Sequence, residues 1–413
     1  MSGKKQPLGI YIHVPFCVRK CSYCDFLSFP ETELKQFLPE KIMSIYTNCS
    51  NEDVKNQYLK MLQKDIDTTV LLPFMGQYEA DTVFIGGGTP SSLSEKQLET
   101  LCMIVRNMCE KIGKKEIDDM EISMECNPGT LNETKIKILH DFGINRISLG
   151  LQSANDNELK MLGRIHRFDD FLHNYELLRK YDFKNINVDL MSALPLQTVE
   201  SYENTLKTVT ALNPEHISAY SLIIEEGTPF YEKYAEDEKL RNEGGQPELL
   251  PDEDSERRMY ELTEEILNTK GYNRYEISNY AKKGFECRHN IGYWTGKDYI
   301  SAGIGASSYI EDRRFVKTDN MSHYLNGDFD EYEIVTLDKK MKMEEFMFLG
   351  LRMTAGISRK DFADRFNISI DDVYVSQIQK LIGEGLIISD NDNLHLSKKG
   401  IDVSNYVFEE FLL

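Results

Sequence analysis

The chain has 413 residues, 41% of them hydrophobic, and a formal net charge of −20 at pH 7. Its 68 acidic against 48 basic side chains repel phosphate backbones and anionic membrane surfaces, which argues against nucleic acid or anionic lipid as a partner. The N-terminus Met-Ser-Gly-Lys-Lys-Gln-Pro has no apolar core, and no segment is long and apolar enough to span a bilayer, so a cytoplasmic protein with no stable membrane insertion is expected. Eight cysteines, at 17, 21, 24, 49, 102, 109, 126 and 287, are too sparse for a secreted disulfide scaffold. The length predicts a large core domain and a smaller one.

Six short β-rich runs recur in the first half: Gly9–Val14, Thr82–Gly86, Glu121–Cys126, Arg146–Gly150, Asn185–Met191 and His216–Leu222. Stretches with helical periodicity lie between them, such as Ser94–Ile112 and Glu133–Phe142. Strand alternating with helix implies parallel strands with right-handed crossovers. The predicted fold is α/β, an incomplete (β/α)6 barrel, with an open doubly wound sheet as the alternative. Polar features gather after the strands: cysteines after the first, Gly86-Gly87-Gly88-Thr89-Pro90 after the second, then Glu125, Gln152 and Asp189. In barrels of this kind the active site lies at the carboxyl ends of the strands.

Residues Ala235–Ser255, acidic and containing Gly-Gly and two prolines, read as a linker, and a helix is predicted from about Asp252 to Thr269. Tyr275–Tyr280 and Cys287–Trp294 follow. The last part, about 342–413, has the element order of a small winged-helix-like α+β module. The expected units are 1–235, 236–340 and 341–413. Residues Pro30–Gln57 look like an insertion with no assignable role.

Cys17, Cys21 and Cys24 have the spacing C-x3-C-x2-C. Three thiolates so placed can hold three corners of a cubane iron–sulfur cluster and leave its fourth iron open. A structural zinc site would need a fourth ligand, with His13, Cys287 or His289 as candidates. A ferredoxin-type site would supply a fourth cysteine, and none follows at short range. A coincidental group of core cysteines is the remaining alternative.

With Tyr23 before the last cysteine, the motif resembles the signature of the radical S-adenosylmethionine (radical SAM) superfamily. That resemblance implies a [4Fe-4S] cluster on Cys17, Cys21 and Cys24. Its open iron would be chelated by S-adenosyl-L-methionine, which one electron cleaves to a 5′-deoxyadenosyl radical. It further implies cofactor contacts from Gly87, Gly88 and Thr89 of the glycine run, from Glu125 as a ribose-binding carboxylate, and from Gln152, Arg164 and Asp189. Tyr11 and Tyr23 match residues that pack against the cofactor. A buried Arg164–Asp189 pair bracing the barrel is the structural alternative.

Tyr11–Phe26, Gly86–Ser92, Glu125–Gly129, Asn145–Ser153, Tyr275–Tyr280, Cys287–Trp294 and Ser404–Phe411 narrow the resemblance to one branch. It contains oxygen-independent coproporphyrinogen III oxidase, an enzyme of porphyrin metabolism, and the HemW-type heme chaperones. The oxidase carries a fourth cysteine where this chain has Phe26, and it has a longer N-terminal arm. Both departures favour the chaperone group. The resemblance then implies heme as ligand, His289 as its candidate iron ligand, acceptor hemoproteins such as respiratory ones as partners, and leaves a homodimer open. Ile291 replaces the usual glutamine of the group's His-Asn-Gln-x-Tyr-Trp motif. Whether the chain is an enzyme is left open; the alternative is a radical decarboxylase acting on coproporphyrinogen III.

Overall fold

The structure, a computed structural model, describes residues 5–37, 50–113, 119–390 and 392–413. Cys49 and the middle of the expected insertion, 38–49, lie outside the described residues.

Six strands run parallel and in order: β1 (Gln6–Val14), β2 (Tyr78–Gly87), β3 (Glu121–Cys126), β4 (Arg146–Gln152), β5 (Ile186–Ser192) and β6 (His216–Ser221). The crossovers carry helices α1 (Asn51–Thr69), α2 (Glu95–Ile112), α3 (Glu133–Asp141), α4 (Phe168–Lys180) and α5 (Val199–Leu212). Each strand is set by alternation: one face carries Leu8, Ile10, Ile12 and Val14, all fully buried under the helices. The opposite face of β1 shows Tyr11 and His13 to the concave side. Capping fixes the helix starts, as where Ser50 and Asp53 form a reciprocal box at α1.

The sheet is not closed into a barrel. Antiparallel β8 (Asn279–Ala281) adds to β6, and β7 (Asn273–Arg274) lies beyond it. On the other edge β9 (Tyr299–Ala302) pairs parallel with β1, followed by antiparallel β10 (Ser307–Ile310), β11 (Arg313–Lys317) and β12 (Glu331–Thr336). The strand order is β12-β11-β10-β9-β1-β2-β3-β4-β5-β6-β8-β7.

The expected linker over Ala235–Ser255 is corrected in its first part. Helix α6 (Pro229–Asn242) runs through it. Pro229 pre-sets the first turn, Thr228 caps it, and Arg241 ties to Glu238 and to Glu256 of α7 (Glu253–Thr269). Glutamate is a good helix former, so the charge density of Glu236 and Glu238 was a poor loop signal there. Asp252 caps α7 at the place the sequence suggested.

The C-terminal residues build a separate core. Met347, Phe362, Tyr374, Leu381, Leu394 and Phe411 are fully buried together. They join α9 (Lys339–Gly350), α10 (Arg359–Phe366) and α11 (Ile370–Gly383) to a three-stranded antiparallel sheet of Ile357–Ser358, Ile387–Ser389 and Asn393–Leu396, an arrangement consistent with a winged helix.

One buried ion pair joins α1 to the sheet extension. Asp65 is fully buried, lies 3.1 Å from Lys317 Nζ of β11, and accepts from Gly303 N–H and the Tyr324 hydroxyl, each at 3.0 Å. Removing the carboxylate strands a buried ammonium, which costs about 3–5 kcal/mol. Asp65→Ala is therefore expected to lose about that much in urea unfolding, and Asp65→Ala with Lys317→Met to regain most of it.

Candidate functional site

The three clustered cysteines sit on the loop after β1, at the carboxyl ends of the parallel strands. Backbone bonds from three directions shape that loop. Ser22 N–H donates to Leu162 O (3.1 Å), Phe230 N–H donates to Ser22 O (3.0 Å), and Phe29 N–H donates to Pro15 O (2.7 Å). His13 pins it from below: its Nε2 pairs with Leu27 O at 2.9 Å and its Nδ1 with the Tyr11 hydroxyl at 3.0 Å. Burial holds this imidazole neutral, its pKa lowered to about 4.

The glycine run closes against the same loop. Gly88 N–H donates to Val14 O (2.9 Å) and Thr89 N–H to Phe16 O (2.7 Å). Gly87 has φ +113°, and a Cβ there would lie 2.5 Å from the His13 ring; one on Gly88 would lie 2.8 Å from Phe16 O. No other residue type permits both approaches. The Thr89 hydroxyl donates to Cys17 Sγ at 3.6 Å. Burial pushes the Cys17 thiol up and the Cys24 thiol up to about 11.

A rim cavity of about 130 Å³ brings the predicted residues together. Cys17, Cys21, Tyr23, Cys24, Gly87, Gly88, Thr89, Glu125, Gln152, Arg164 and Asp189 all line it. Arg164 donates to Cys21 Sγ (3.5 Å), to Asn127 Oδ1 (2.8 Å) and to the Gly150 carbonyl. No Arg164–Asp189 ion pair forms, so the bracing alternative does not hold. Asp189 accepts instead from Asn187 Nδ2 (2.8 Å) and the Ser148 hydroxyl (3.2 Å). Gln152 occupies the left-handed region at φ 76°, where β4 bulges against β5. A buried non-glycine residue held there stores strain, a pattern that clusters at functional sites. Glu125 accepts from Gly87 N–H at 3.0 Å.

Two predicted residues fall elsewhere. Tyr11 does not line this cavity; its ring stacks on Phe84 lower in the concave face. His289 lies at the amino ends of the strands, on α8 (Arg288–Trp294), where Glu121 at the start of β3 accepts from the backbone N–H groups of Arg288 (2.9 Å) and His289 (3.0 Å). Both its ring nitrogens are engaged, Nδ1 with Thr82 Oγ1 (2.9 Å) and Nε2 with the Tyr293 hydroxyl (2.8 Å), and burial lowers its pKa to about 3. Cys287 is buried beside Glu121 at that same end. Neither reaches the cysteine loop as a fourth zinc ligand, and His13 is already bonded through both nitrogens. Among the described residues no group of three His, Cys, Asp or Glu is close enough for a single metal ion.

The residues fit a cluster and an amino-acid-bearing ligand by a further sign: Arg164 Nε is buried and unpaired at the cavity. Asn127 escaped the sequence reading as a functional residue. Its amide donates to Thr89 Oγ1 (2.8 Å) and accepts from Arg164, so it couples the glycine run to the arginine. Its place two residues after Glu125 was the available signal. Cys126, next to Glu125 on the cavity border, is buried, its thiol 3.9 Å from Met124 O. Phe26 stands 65% exposed on the cysteine loop. Ile291 packs against the buried cluster of Tyr275, Ala281 and Cys287, which explains an apolar side chain at that motif position.

Burial and the nearby Asp189 raise the Glu125 pKa from 4.5 to about 7. The folded carboxyl binds its proton more tightly than the unfolded one, so the ligand-free protein loses stability as pH rises from about 4.5 to about 7. Glu125→Gln is expected to remove that loss and to exceed the parent by on the order of 3 kcal/mol above pH 7. Urea unfolding of both proteins across this range checks it; parallel curves would contradict it.

Residues 11–209 match the radical SAM superfamily and residues 337–403 the HemN C-terminal domain. A relative from Bacillus subtilis (strain 168), named heme chaperone HemW, is 36% identical over 97% of this chain and 98% of its own length. The heme chaperone HemW of Escherichia coli (strain K12) is 33% identical over 99% of both. Among solved structures, the coproporphyrinogen III oxidase (HemN) of Escherichia coli, described as a radical SAM enzyme, superposes with a TM-score of 0.79 at 20% identity. That match covers 100% of this chain and 91% of the other, a likeness of fold. The chain belongs to the HemW family of the radical SAM superfamily.

Proposed function

We propose that this protein is a cytoplasmic heme chaperone that holds a [4Fe-4S] cluster and S-adenosyl-L-methionine at the strand carboxyl ends and passes heme to acceptor hemoproteins. The observation that carries this reading is the likeness, end to end, to relatives named heme chaperone HemW. Phe26, exposed on the cysteine loop, agrees with it, since the oxidase pattern has cysteine there.

When bound, the cluster supplies a low-potential electron and one iron open to a small ligand. The chain's own residues do the rest. Cys17, Cys21 and Cys24 are the thiolate ligands. Arg164, donating to Cys21 Sγ, offsets thiolate charge and holds its unpaired Nε toward the cavity. Gly87 and Gly88 offer backbone with no side chain between it and the ligand. Glu125 offers two acceptor oxygens to a ribose diol, and Gln152 and Asp189 offer polar groups from the next strands. Tyr23 covers the site from the loop side, packed against Phe230. The chain divides into the cofactor sheet (1–235), its extension with α8 (236–340) and the C-terminal module (341–413).

The test uses anaerobically reconstituted protein. It is given coproporphyrinogen III, reductant and S-adenosyl-L-methionine, and separately titrated with heme. Stoichiometric heme uptake without protoporphyrinogen formation is expected; decarboxylation at catalytic rates would overturn the chaperone reading in favour of the oxidase. Cys21→Ala is expected to abolish the cluster's visible absorbance, and a cluster surviving that change intact would overturn the ligand assignment.

A further inference from the structure

Two open spaces away from the cysteine loop are each larger than the cavity there. Two cavities, of about 320 and 250 Å³, lie at the amino ends of the strands and share Trp294, Gly296, Tyr309, Glu345 and Leu349. The floor of the first is the concave face of the sheet extension. Tyr299 pairs in register with Gly9 and with Tyr309, and Tyr309 with Arg314, so Tyr11, Tyr299, Tyr309 and Arg314 share one face. Tyr293 and Trp294 of α8 form the facing wall. The second cavity continues it toward Phe346, Met353 and Ile357, with Lys342 and Arg365 on its lining.

This space has the chemistry of a flat aromatic ligand with acidic edges. Its walls are tyrosine, tryptophan and aliphatic side chains, and it carries cations in a protein whose net charge is −20. Arg314 and Lys342 already serve Glu345 and Asp312, whereas the bond recorded for the Arg365 guanidinium is a long one, 3.5 Å to Gly296 O. Trp294 Nε1 is buried with no hydrogen-bond partner. A pocket lined mainly by aromatic and apolar groups with few polar ones is the usual form of a small-molecule site.

The position of the iron ligand follows from which side chain reaches the space. His289 lines neither cavity; it is 3% exposed and bonded through both nitrogens. Tyr293 does line the first cavity, and its hydroxyl is the group that pairs with His289 Nε2. Phenolate oxygen is an established axial ligand of heme iron.

We propose that the joined cavities bind ferric heme, with Tyr293 rather than His289 as the axial ligand and His289 as its positioning residue. This rests on the chaperone reading above. On binding, the Tyr293 O–H bond breaks, an Fe–O bond forms, a weakly held ligand leaves the iron, and one proton passes to solvent. His289 stays neutral throughout. The Thr82 hydroxyl can donate to Nδ1 as well as accept from it, so Nε2 can change from accepting the phenol proton to donating to the phenolate. The aliphatic and aromatic walls cover the ring, and Arg365 meets one of its carboxylates.

The full-length protein with its cluster reconstituted is titrated with hemin and examined by resonance Raman and EPR. The parent is expected to show high-spin ferric iron with phenolate vibrations. Tyr293→Phe should lose those vibrations and weaken binding by roughly tenfold or more, while His289→Gln should keep them. Leu349→Trp, which fills the wall shared by both cavities, should weaken heme binding and leave the cluster spectrum unchanged. A parent with nitrogen-ligated low-spin iron, or a Tyr293→Phe variant with the parent's spectrum, would overturn the ligand; unaltered affinity in Leu349→Trp would overturn the cavity. A parent that takes up no heme would instead overturn the chaperone reading itself.

Discussion

One buried imidazole holds the architecture together. His13 ends β1 on the concave side, and its two nitrogens join Tyr11 below to the Leu27 carbonyl of the cysteine loop above. Its own carbonyl accepts from the Tyr58 hydroxyl of α1 at 2.7 Å. Gly87 and Gly303 both come so close that any Cβ would strike it. The cysteine loop, the glycine run, α1 and the sheet extension thus share one contact. Because burial keeps the ring neutral, the junction bears no charge that water would have to stabilise.

From that junction the concave face divides into two ends with different chemistry. At the carboxyl ends, thiols, bare backbone and partly paired polar groups surround a cavity. The middle is filled by a network: Asn187 donates to Ser148 and Asp189, and accepts from the Ser218 hydroxyl while pairing with His216. At the amino ends, Glu121 and Asp81 anchor α8. Glu121 takes the first N–H groups of that helix, and Asp81 pairs with Arg288 at 2.7 Å and with Lys297. A helix of seven residues has little stability of its own, so its placement depends on these two carboxylates. They hold Tyr293 and Trp294 against the aromatic floor of β9 and β10.

Much of this was legible in the sequence, for local reasons. The cysteine spacing and the glycine run are contiguous, so their meaning needs no tertiary knowledge. The six parallel strands announced themselves as apolar runs between amphipathic helices, and Ser94 and Asp252 marked helix starts by capping chemistry. What could not be read depends on distant contacts. The short strands β9–β12 carry little hydrophobic pattern and exist because β1 offers an edge to pair with. Asn127 gains its role only when Thr89 and Arg164 arrive on either side. The residues of α6 look like a charged linker until Arg241 meets Glu256. The sequence motif points to His289 as a heme ligand, whereas in the fold it is Tyr293, four residues later on the same helix face, that borders the open space.

The central claim is that cofactor and heme occupy opposite ends of the same strands, separated by a filled middle. The four residue steps of β3 from Glu121 to Glu125 already span about 13 Å. The most direct measurement is the magnetic coupling, by pulsed EPR, between ferric heme and the oxidised three-iron form of the cluster, which is paramagnetic without an added electron and can coexist with ferric heme in the same molecule. The account predicts weak dipolar coupling corresponding to a separation of about 13 Å or more. Strong coupling, with heme in contact with the cysteine loop as a porphyrin substrate would be, would contradict it.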